Sequence, residues 1–93
     1  MTALRFAPAS PNPFRGRTTL RWALPAARHV RLRVHDVAGR LIRTLADGEM
    51  QAGEHSVVWD QTDDGGHRMH AGLYFVRFEA EGRSLGQKVI LMP

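Results

Sequence analysis

The sequence of 93 residues contains no cysteine, and this absence excludes both disulfide bonds and zinc sites built on thiolates. No apolar run approaches the roughly 20 residues that a membrane-spanning helix needs. The first residues of the chain also lack the long apolar stretch that is typical of a signal peptide. A chain of this length fits one domain, so residues 1–93 are predicted to fold around a single thin core.

Groups for covalent catalysis are scarce as well. The three serines, Ser10, Ser56 and Ser84, lie outside any G-x-S-x-G elbow, and no cysteine can replace them as a nucleophile. No pair of carboxylates can be assigned to a glycosidase spacing from the order of strands and turns. We therefore predict no catalytic residue, no cofactor and no enzymatic activity.

Lysine is almost missing, because twelve of the thirteen basic residues are arginine, and the formal net charge is +4. An excess of positive charge raises the question of nucleic-acid binding. The arginines are spread along the chain, however, and Arg31 and Arg33 alternate with aliphatic residues as on the solvent face of a half-buried strand. We therefore expect no nucleic-acid partner.

Acidic side chains cluster at one place, where Asp60, Asp63 and Asp64 fall within five residues. Carboxylate oxygens are ligands that Ca²⁺ prefers, which makes these three aspartates weak metal candidates. The cluster lacks the closing glutamate of a calcium-binding loop, so a solvated turn is the favoured interpretation. No metal site is predicted.

Alternation of apolar and polar residues with a period of two dominates the chain, and no window contains a sustained helical stripe. Turns marked by glycine or proline separate the alternating segments at spacings of about 8–12 residues. The pattern predicts an all-β, immunoglobulin or fibronectin type III-like β-sandwich of about seven antiparallel strands with no disulfide. The predicted strands cover residues 3–7, 18–24, 29–37, 41–45, 54–60, 72–80 and 84–92.

Two segments are predicted to depart from regular strands. The adjacent apolar residues Leu41 and Ile42 break the alternation, which predicts a β-bulge or a change of sheet. After them, Asp47-Gly48 and Ala52-Gly53 are predicted to bracket a polar loop.

Several single residues are predicted to serve the fold. Trp22 and Trp59 are the natural large fillers of a thin core. Asp36 and Asp60 stand at strand ends, where a carboxylate can accept backbone N–H bonds from the following turn. Phe14, which follows three prolines, is predicted to plug the end of the core.

Four motifs follow one another along the chain and mark strands or turns of the predicted sandwich. Their residues are Pro11, Asn12, Pro13 and Phe14; Asp36, Gly39 and Arg40; Gly53, His55, Trp59 and Asp60; and Gly72 and Tyr74. In this order they resemble the C-terminal sorting domains, type A, of proteins that the type IX secretion system exports. They are also similar to the Ig-like domain of flagellar hook-capping proteins. The leading Pro-Asn-Pro-Phe favours the sorting-domain group.

The resemblance implies a non-catalytic C-terminal module of a larger exported bacterial protein, which sorts it for secretion and attaches it to the surface. The protein would pass through the periplasm to the cell surface or the medium. Its partners would be proteins of the secretion or cell-surface machinery, bound by strand addition at an edge strand, and a weak homodimer could form in the same way. The predicted contact residues are those of the last strand, Lys88, Val89, Ile90, Leu91 and Met92.

Two departures from the sorting-domain pattern keep other functions open. Gln61 stands where the family usually has glycine after Trp-Asp, and Pro93 stands where sorting domains usually carry a basic residue. An Ig-like spacer or protein-interaction domain of the hook-cap or adhesin type, without a sorting role, is therefore the alternative. A carbohydrate-binding module would need exposed aromatic side chains on one face, and Phe75 is the clearest outward-facing aromatic.

Overall fold

Seven strands in two sheets make up the regular structure of residues 3–93, the part of the chain that the computed structural model describes. The first strand is shorter than predicted and the fourth is twice as long. The strands are β1 (Arg5–Phe6), β2 (Thr18–Leu24), β3 (Arg28–His35), β4 (Leu41–Met50), β5 (Gly53–Trp59), β6 (Gly72–Ala80) and β7 (Arg83–Leu91).

The strands pair antiparallel in the order β1-β2-β5 in one sheet and β4-β3-β6-β7 in the other. This arrangement confirms the predicted all-β sandwich of seven strands. No helix in the described residues is long and apolar enough to cross a membrane.

The core lies between the two sheets, and the period-two alternation of the strands fills it. In β3, Val30, Leu32 and Val34 are fully buried, while the residues between them face solvent or the sheet surface. In β6, Val76 and Phe78 are buried in the same way. Each such side chain stabilises the fold by about 1.5–3 kcal/mol relative to an exposed position.

Aromatic side chains close one end of this core. Phe14 packs against Trp59 with ring centroids 5.6 Å apart, and Trp59 meets Tyr74 edge-on at 5.2 Å. Phe14 and Trp59 are both buried, as the sequence predicts. The Trp59 indole N–H is also satisfied, because it donates a 2.9 Å hydrogen bond to the Thr62 carbonyl. Edge-to-face pairs of this kind add about 0.5–1.5 kcal/mol each beyond burial.

The predicted polar loop after residue 45 was wrong, because β4 continues as a strand to Met50. Within this stretch Asp47 pairs with Arg31 and Gly48 with Val30. Strand β3 offers backbone partners along its whole length, and this pairing overrides the turn preference of Asp-Gly. The Asp47 carboxylate also contacts His29 at 2.7 Å, which holds it on the sheet surface.

The predicted β-bulge near Leu41 and Ile42 is confirmed. His35 pairs with Leu41 and Val34 with Arg43, so Ile42 has no partner on β3 and the register shifts by one residue. At such a bulge two residues of one strand stand opposite one residue of its partner; here Leu41 is exposed and Ile42 packs against the core.

Candidate partner-binding surface

Strand β7, which holds the predicted contact residues, lies at the edge of the four-stranded sheet. Its alternation divides those residues into two groups. Val89 and Leu91 point into the core and are buried, whereas Lys88 and Ile90 are exposed and Met92 is half-buried. Of these five residues, only Lys88 and Ile90 are therefore exposed to a partner.

The free edge of β7 is covered by residues 11–14, which we call the Pro11–Phe14 clamp. The Asn12 carboxamide donates to the Lys88 carbonyl at 2.9 Å and accepts the Ile90 N–H at 2.9 Å. The Phe14 backbone then accepts the Met92 N–H at 2.8 Å and donates to the Ile90 carbonyl at 2.9 Å. The outward backbone groups from the Lys88 carbonyl to the Met92 N–H, which strand addition would need, are already hydrogen-bonded.

The edge is held at one further point before the clamp. The Gln87 carboxamide accepts the Ala9 N–H at 2.7 Å and donates to the Ala7 carbonyl at 2.8 Å. Strand addition at the end of β7 would therefore have to displace the proline-rich segment first. The predicted weak homodimer through an edge strand stays a prediction.

The three aspartates considered for a metal serve separate local hydrogen bonds. Asp63 accepts the N–H groups of Gly65 and His67, at 2.9 and 2.8 Å, and these bonds lower the pKa of its carboxyl, the His67 N–H most. Asp60 accepts the Thr62 hydroxyl, which lowers the Asp60 pKa. Asp64 accepts the Thr44 N–H of β4 at 3.0 Å. Within residues 3–93, no three metal-ligating side chains converge.

The outer face of the four-stranded sheet carries a groove of about 600 Å³, which we call the Gly86 groove. Cross-strand pairing arranges its residues in two neighbouring rows. The missing side chain of Gly86 opens the notch, since a Cβ there would meet only the Val76 carbonyl oxygen, at 3.7 Å. The rows are Arg33, Arg77 and Gly86, and next to them His35, Phe75 and Lys88.

Exposed apolar side chains concentrate around this groove. Five large ones are exposed within the described residues, and Val58 on the opposite sheet is the exception to the cluster. Val37 is 70% exposed and Phe75 37%, and both line the groove. Leu41 is the cross-strand partner of His35, and Ile90 is the next outward-facing residue of β7 after Lys88. Leu41 and Ile90 therefore lie on the same face of the sheet as the groove. A patch of apolar surface rimmed by charge marks an interaction site.

Some of the basic side chains on this face are paired with carboxylates, and others are not. Arg33 is ion-paired with Glu79, and Arg31 lies 3.8 Å from the Asp47 carboxylate. Arg77 and Lys88, by contrast, form no ion pair with any residue of the described range 3–93. The groove is therefore a local centre of positive charge.

A rigid turn after β3 forms one wall of the groove. Asp36 Oδ1 accepts the N–H groups of Ala38 and Arg40, each at 2.9 Å, and Oδ2 accepts Arg40 Nε at 2.9 Å. These bonds, the Arg40 N–H foremost, lower the pKa of the Asp36 carboxyl. Gly39 takes a φ of 83°, which a side chain would disfavour. This turn ends β3 at His35, two residues before the predicted boundary, and holds Val37 over the groove.

A comparison with protein families finds a match over residues 10–84, more than half of the chain, to the model described as the FlgD Ig-like domain. The chain belongs to the FlgD Ig-like domain family. The resemblance to the Ig-like group of hook-capping proteins and type IX sorting domains is confirmed to this extent. No curated protein sequence matches this FlgD Ig-like domain significantly.

Solved structures with the same fold come from both branches of the resemblance. Dimeric latent PorU from Porphyromonas gingivalis matches with a TM-score of 0.76 and 21% identity, over 94% of this FlgD Ig-like domain and 9% of PorU. PorZ from the same species, described as an essential bacterial surface component of the type IX secretion system, matches with a TM-score of 0.65 and 22% identity, over 92% and 11%. FlgD from Xanthomonas campestris, described in connection with hook capping in flagellar assembly, matches with a TM-score of 0.64 and 26% identity, over 94% and 64%.

The sequence patterns identify the Pro11–Phe14 motif and the last strand, but they indicate neither the contact between the two nor the groove. Phe75 stands out in the sequence only as an outward aromatic, and no motif there singles out His35, Arg77 or Gly86. Glycine in the interior of a strand often marks a site where a ligand or another backbone approaches closely. Gly86, in the middle of β7, is the signal that could have pointed to the groove.

Proposed function

We propose that this FlgD Ig-like domain is a non-catalytic module of a larger exported bacterial protein and acts as its type IX sorting and surface-attachment domain. The clamp carries the proposal. Pro-Asn-Pro-Phe is the motif that favours the sorting-domain group, and through Asn12 and Phe14 it bonds directly to Lys88, Ile90 and Met92. The motif and the predicted contact strand thus form one structural unit.

The clamp also suggests how such a signal would be recognised. With its outer backbone groups occupied and two of its side chains buried, the end of β7 offers a partner a fixed surface and not an extended peptide. Lys88 and Ile90 project from this surface at neighbouring outward positions. The secretion or cell-surface machinery would therefore read a folded domain. The fold shared with PorZ, a surface component of that system, supports this proposal.

The proposal is tested by fusing a reporter enzyme to the N-terminus of this domain in a bacterium with an active type IX system. Reporter activity is measured in the periplasm, on the cell surface and in the medium. We expect the fusion to reach the surface or the medium and the combined change Lys88→Ala and Ile90→Ser to retain it in the periplasm. Val58→Ser is the matched control, because Val58 and Ile90 are 47% and 46% exposed on opposite sheets.

Two outcomes would contradict the sorting role. One is retention of a folded, protease-resistant wild-type fusion in the periplasm, which would favour the alternative of an Ig-like spacer. The other is equal export of the double variant and the Val58→Ser control, which would show that the exposed residues of the last strand are not needed for recognition.

A further inference from the structure

We propose that the Gly86 groove binds an acidic, extended polypeptide segment of a partner protein. This inference goes beyond the sorting role: the groove shares Lys88 with the proposed sorting surface, but the rest of its lining comes from β3, β6, the turn after β3 and the middle of β7. It requires only the folded domain and stands or falls independently of export.

The charged groups that are left unpaired in the groove, Arg77 and Lys88, are donors only. Arg77 and Lys88 have no acidic partner in the described part of the chain, and the neighbouring His35 is not ion-paired there either. Both acidic residues of the lining are already engaged, Asp36 with its own turn and Glu79 with Arg33. A ligand must therefore supply the acceptors, and carboxylates match a local excess of positive charge.

The shape of the groove fits an extended chain. Phe75 and Val37 line the groove together with Gly86, whose missing side chain leaves room for an apolar side chain of a ligand. Lys88 lies two residues further along the same strand, about 7 Å away, which is also the distance between alternate side chains of an extended peptide. If an apolar residue of the ligand occupied the notch, the ligand residue two positions further along would face the same side and lie beside Lys88. Arg77 stands beside the notch as the direct cross-strand neighbour of Gly86.

Other anionic ligands fit the groove less well. A nucleic acid would need a longer cationic track, but Arg31 and Arg33 on the same face are neutralised by Asp47 and Glu79. A polysaccharide offers many hydroxyl groups that donate as well as accept, whereas the unpaired charged groups here, Arg77 and Lys88, only donate. Phe75 is also the one aromatic side chain in the lining.

The test measures fluorescence anisotropy of a labelled nonapeptide in which glutamate alternates with leucine, titrated with the 93-residue domain. We expect saturable binding at domain concentrations below about 1 mM and an affinity that falls as salt is raised, because the contacts are charged and exposed. The same peptide with glutamine in place of glutamate should bind at least about tenfold more weakly. Labelled polygalacturonate and single-stranded DNA serve as the polysaccharide and nucleic-acid probes.

Variants locate the site. Arg77→Gln combined with Lys88→Gln should weaken acidic-peptide binding at least about tenfold. Gly86→Val should do the same by filling the notch, and the fold has room for it because the added Cβ stays at van der Waals distance. Arg21→Gln is the control, since this exposed arginine lies on β2 in the other sheet.

The proposal is overturned if the acidic peptide and its glutamine counterpart bind equally or if neither binds below about 1 mM. It is also overturned if polygalacturonate or DNA binds more tightly than the peptide. Equal loss in Arg21→Gln and in the groove variants would likewise refute it, because binding would then reflect net charge alone.

Discussion

Replacing Asn12 with alanine removes both side-chain hydrogen bonds of the clamp, to the Lys88 carbonyl and from the Ile90 N–H. Each bond of this kind contributes about 0.5–1.5 kcal/mol net. Because Asn12 is exposed and water can partly replace it, we expect Asn12→Ala to lower the free energy of unfolding by about 1–2 kcal/mol. For a domain of this size, that corresponds to a fall in Tm of about 5–15 °C.

Asn12→Asp separates the two bonds. The carboxylate still accepts the Ile90 N–H but sets a second oxygen against the Lys88 carbonyl oxygen, so Asn12→Asp should destabilise the fold by at least about 0.5–1.5 kcal/mol, the contribution of the lost bond. Ser84→Ala, at the far exposed end of β7, is the control and should change stability by less than about 0.5 kcal/mol. Urea unfolding followed by tryptophan fluorescence measures all three variants.

Native-state hydrogen exchange gives the local readout. In Asn12→Ala the Ile90 amide loses its partner and should exchange about tenfold faster or more, whereas the neighbouring Val89 amide, which lies in the ladder with Tyr74, should change little. The clamp would be refuted as a stabilising device if Asn12→Ala matched Ser84→Ala in stability and left the Ile90 exchange rate unchanged.

Three further predictions concern other parts of the fold. Gln61 has a φ of 59°, in the left-handed region that strains residues with a side chain. Gln61→Gly should relieve this strain and raise the free energy of unfolding by up to about 1 kcal/mol. Gln51, whose φ is not positive, is the control, and Gln51→Gly should lower the free energy of unfolding. If both glycines destabilised equally, the strain argument would fail. Because the folded state lowers the pKa of Asp36 below 3.8, its carboxylate contributes stability above that pH, and this contribution is lost as the pH falls through the folded-state pKa. Asp36→Asn should therefore make the Tm less dependent on acidic pH, which thermal melts at a series of pH values measure. An unchanged acid profile would exclude Asp36 as a contributor. Within residues 3–93 the buried Trp22 Nε1 has no hydrogen-bond partner, whereas Trp59 Nε1 donates to the Thr62 carbonyl. In urea unfolding, Trp22→Phe should therefore lower the free energy of unfolding by about 1–3 kcal/mol less than Trp59→Phe does. The reverse order would contradict this.

The strands could be predicted from the sequence wherever burial alternates locally. The bounds of β2 and β6 match the predicted residues 18–24 and 72–80, since apolar side chains at every second position can face only one core. The turn at Glu81-Gly82 was also predictable, and both residues take the positive φ that a two-residue hairpin requires.

Where a segment depends on its neighbours, the sequence was a weaker guide. Asp47-Gly48 has turn chemistry, yet it lies in β4 because β3 runs alongside with free backbone groups. Gln61 takes a φ of 59°, in the left-handed region that favours glycine, although it carries a side chain. In both cases tertiary pairing outweighs the local preference of the residues.

By itself, the sequence determined the fold class and the approximate bounds of most strands, because these follow from the period of burial along the chain. The tertiary structure alone decided that Asn12 seals the edge of β7 and that Gly86, Phe75 and Arg77 form one groove. These contacts join residues that are far apart in the sequence, and no local pattern encodes which strands become neighbours. The predicted contact strand therefore turned out to be a clamped edge, and the cationic groove lies on the face beside it.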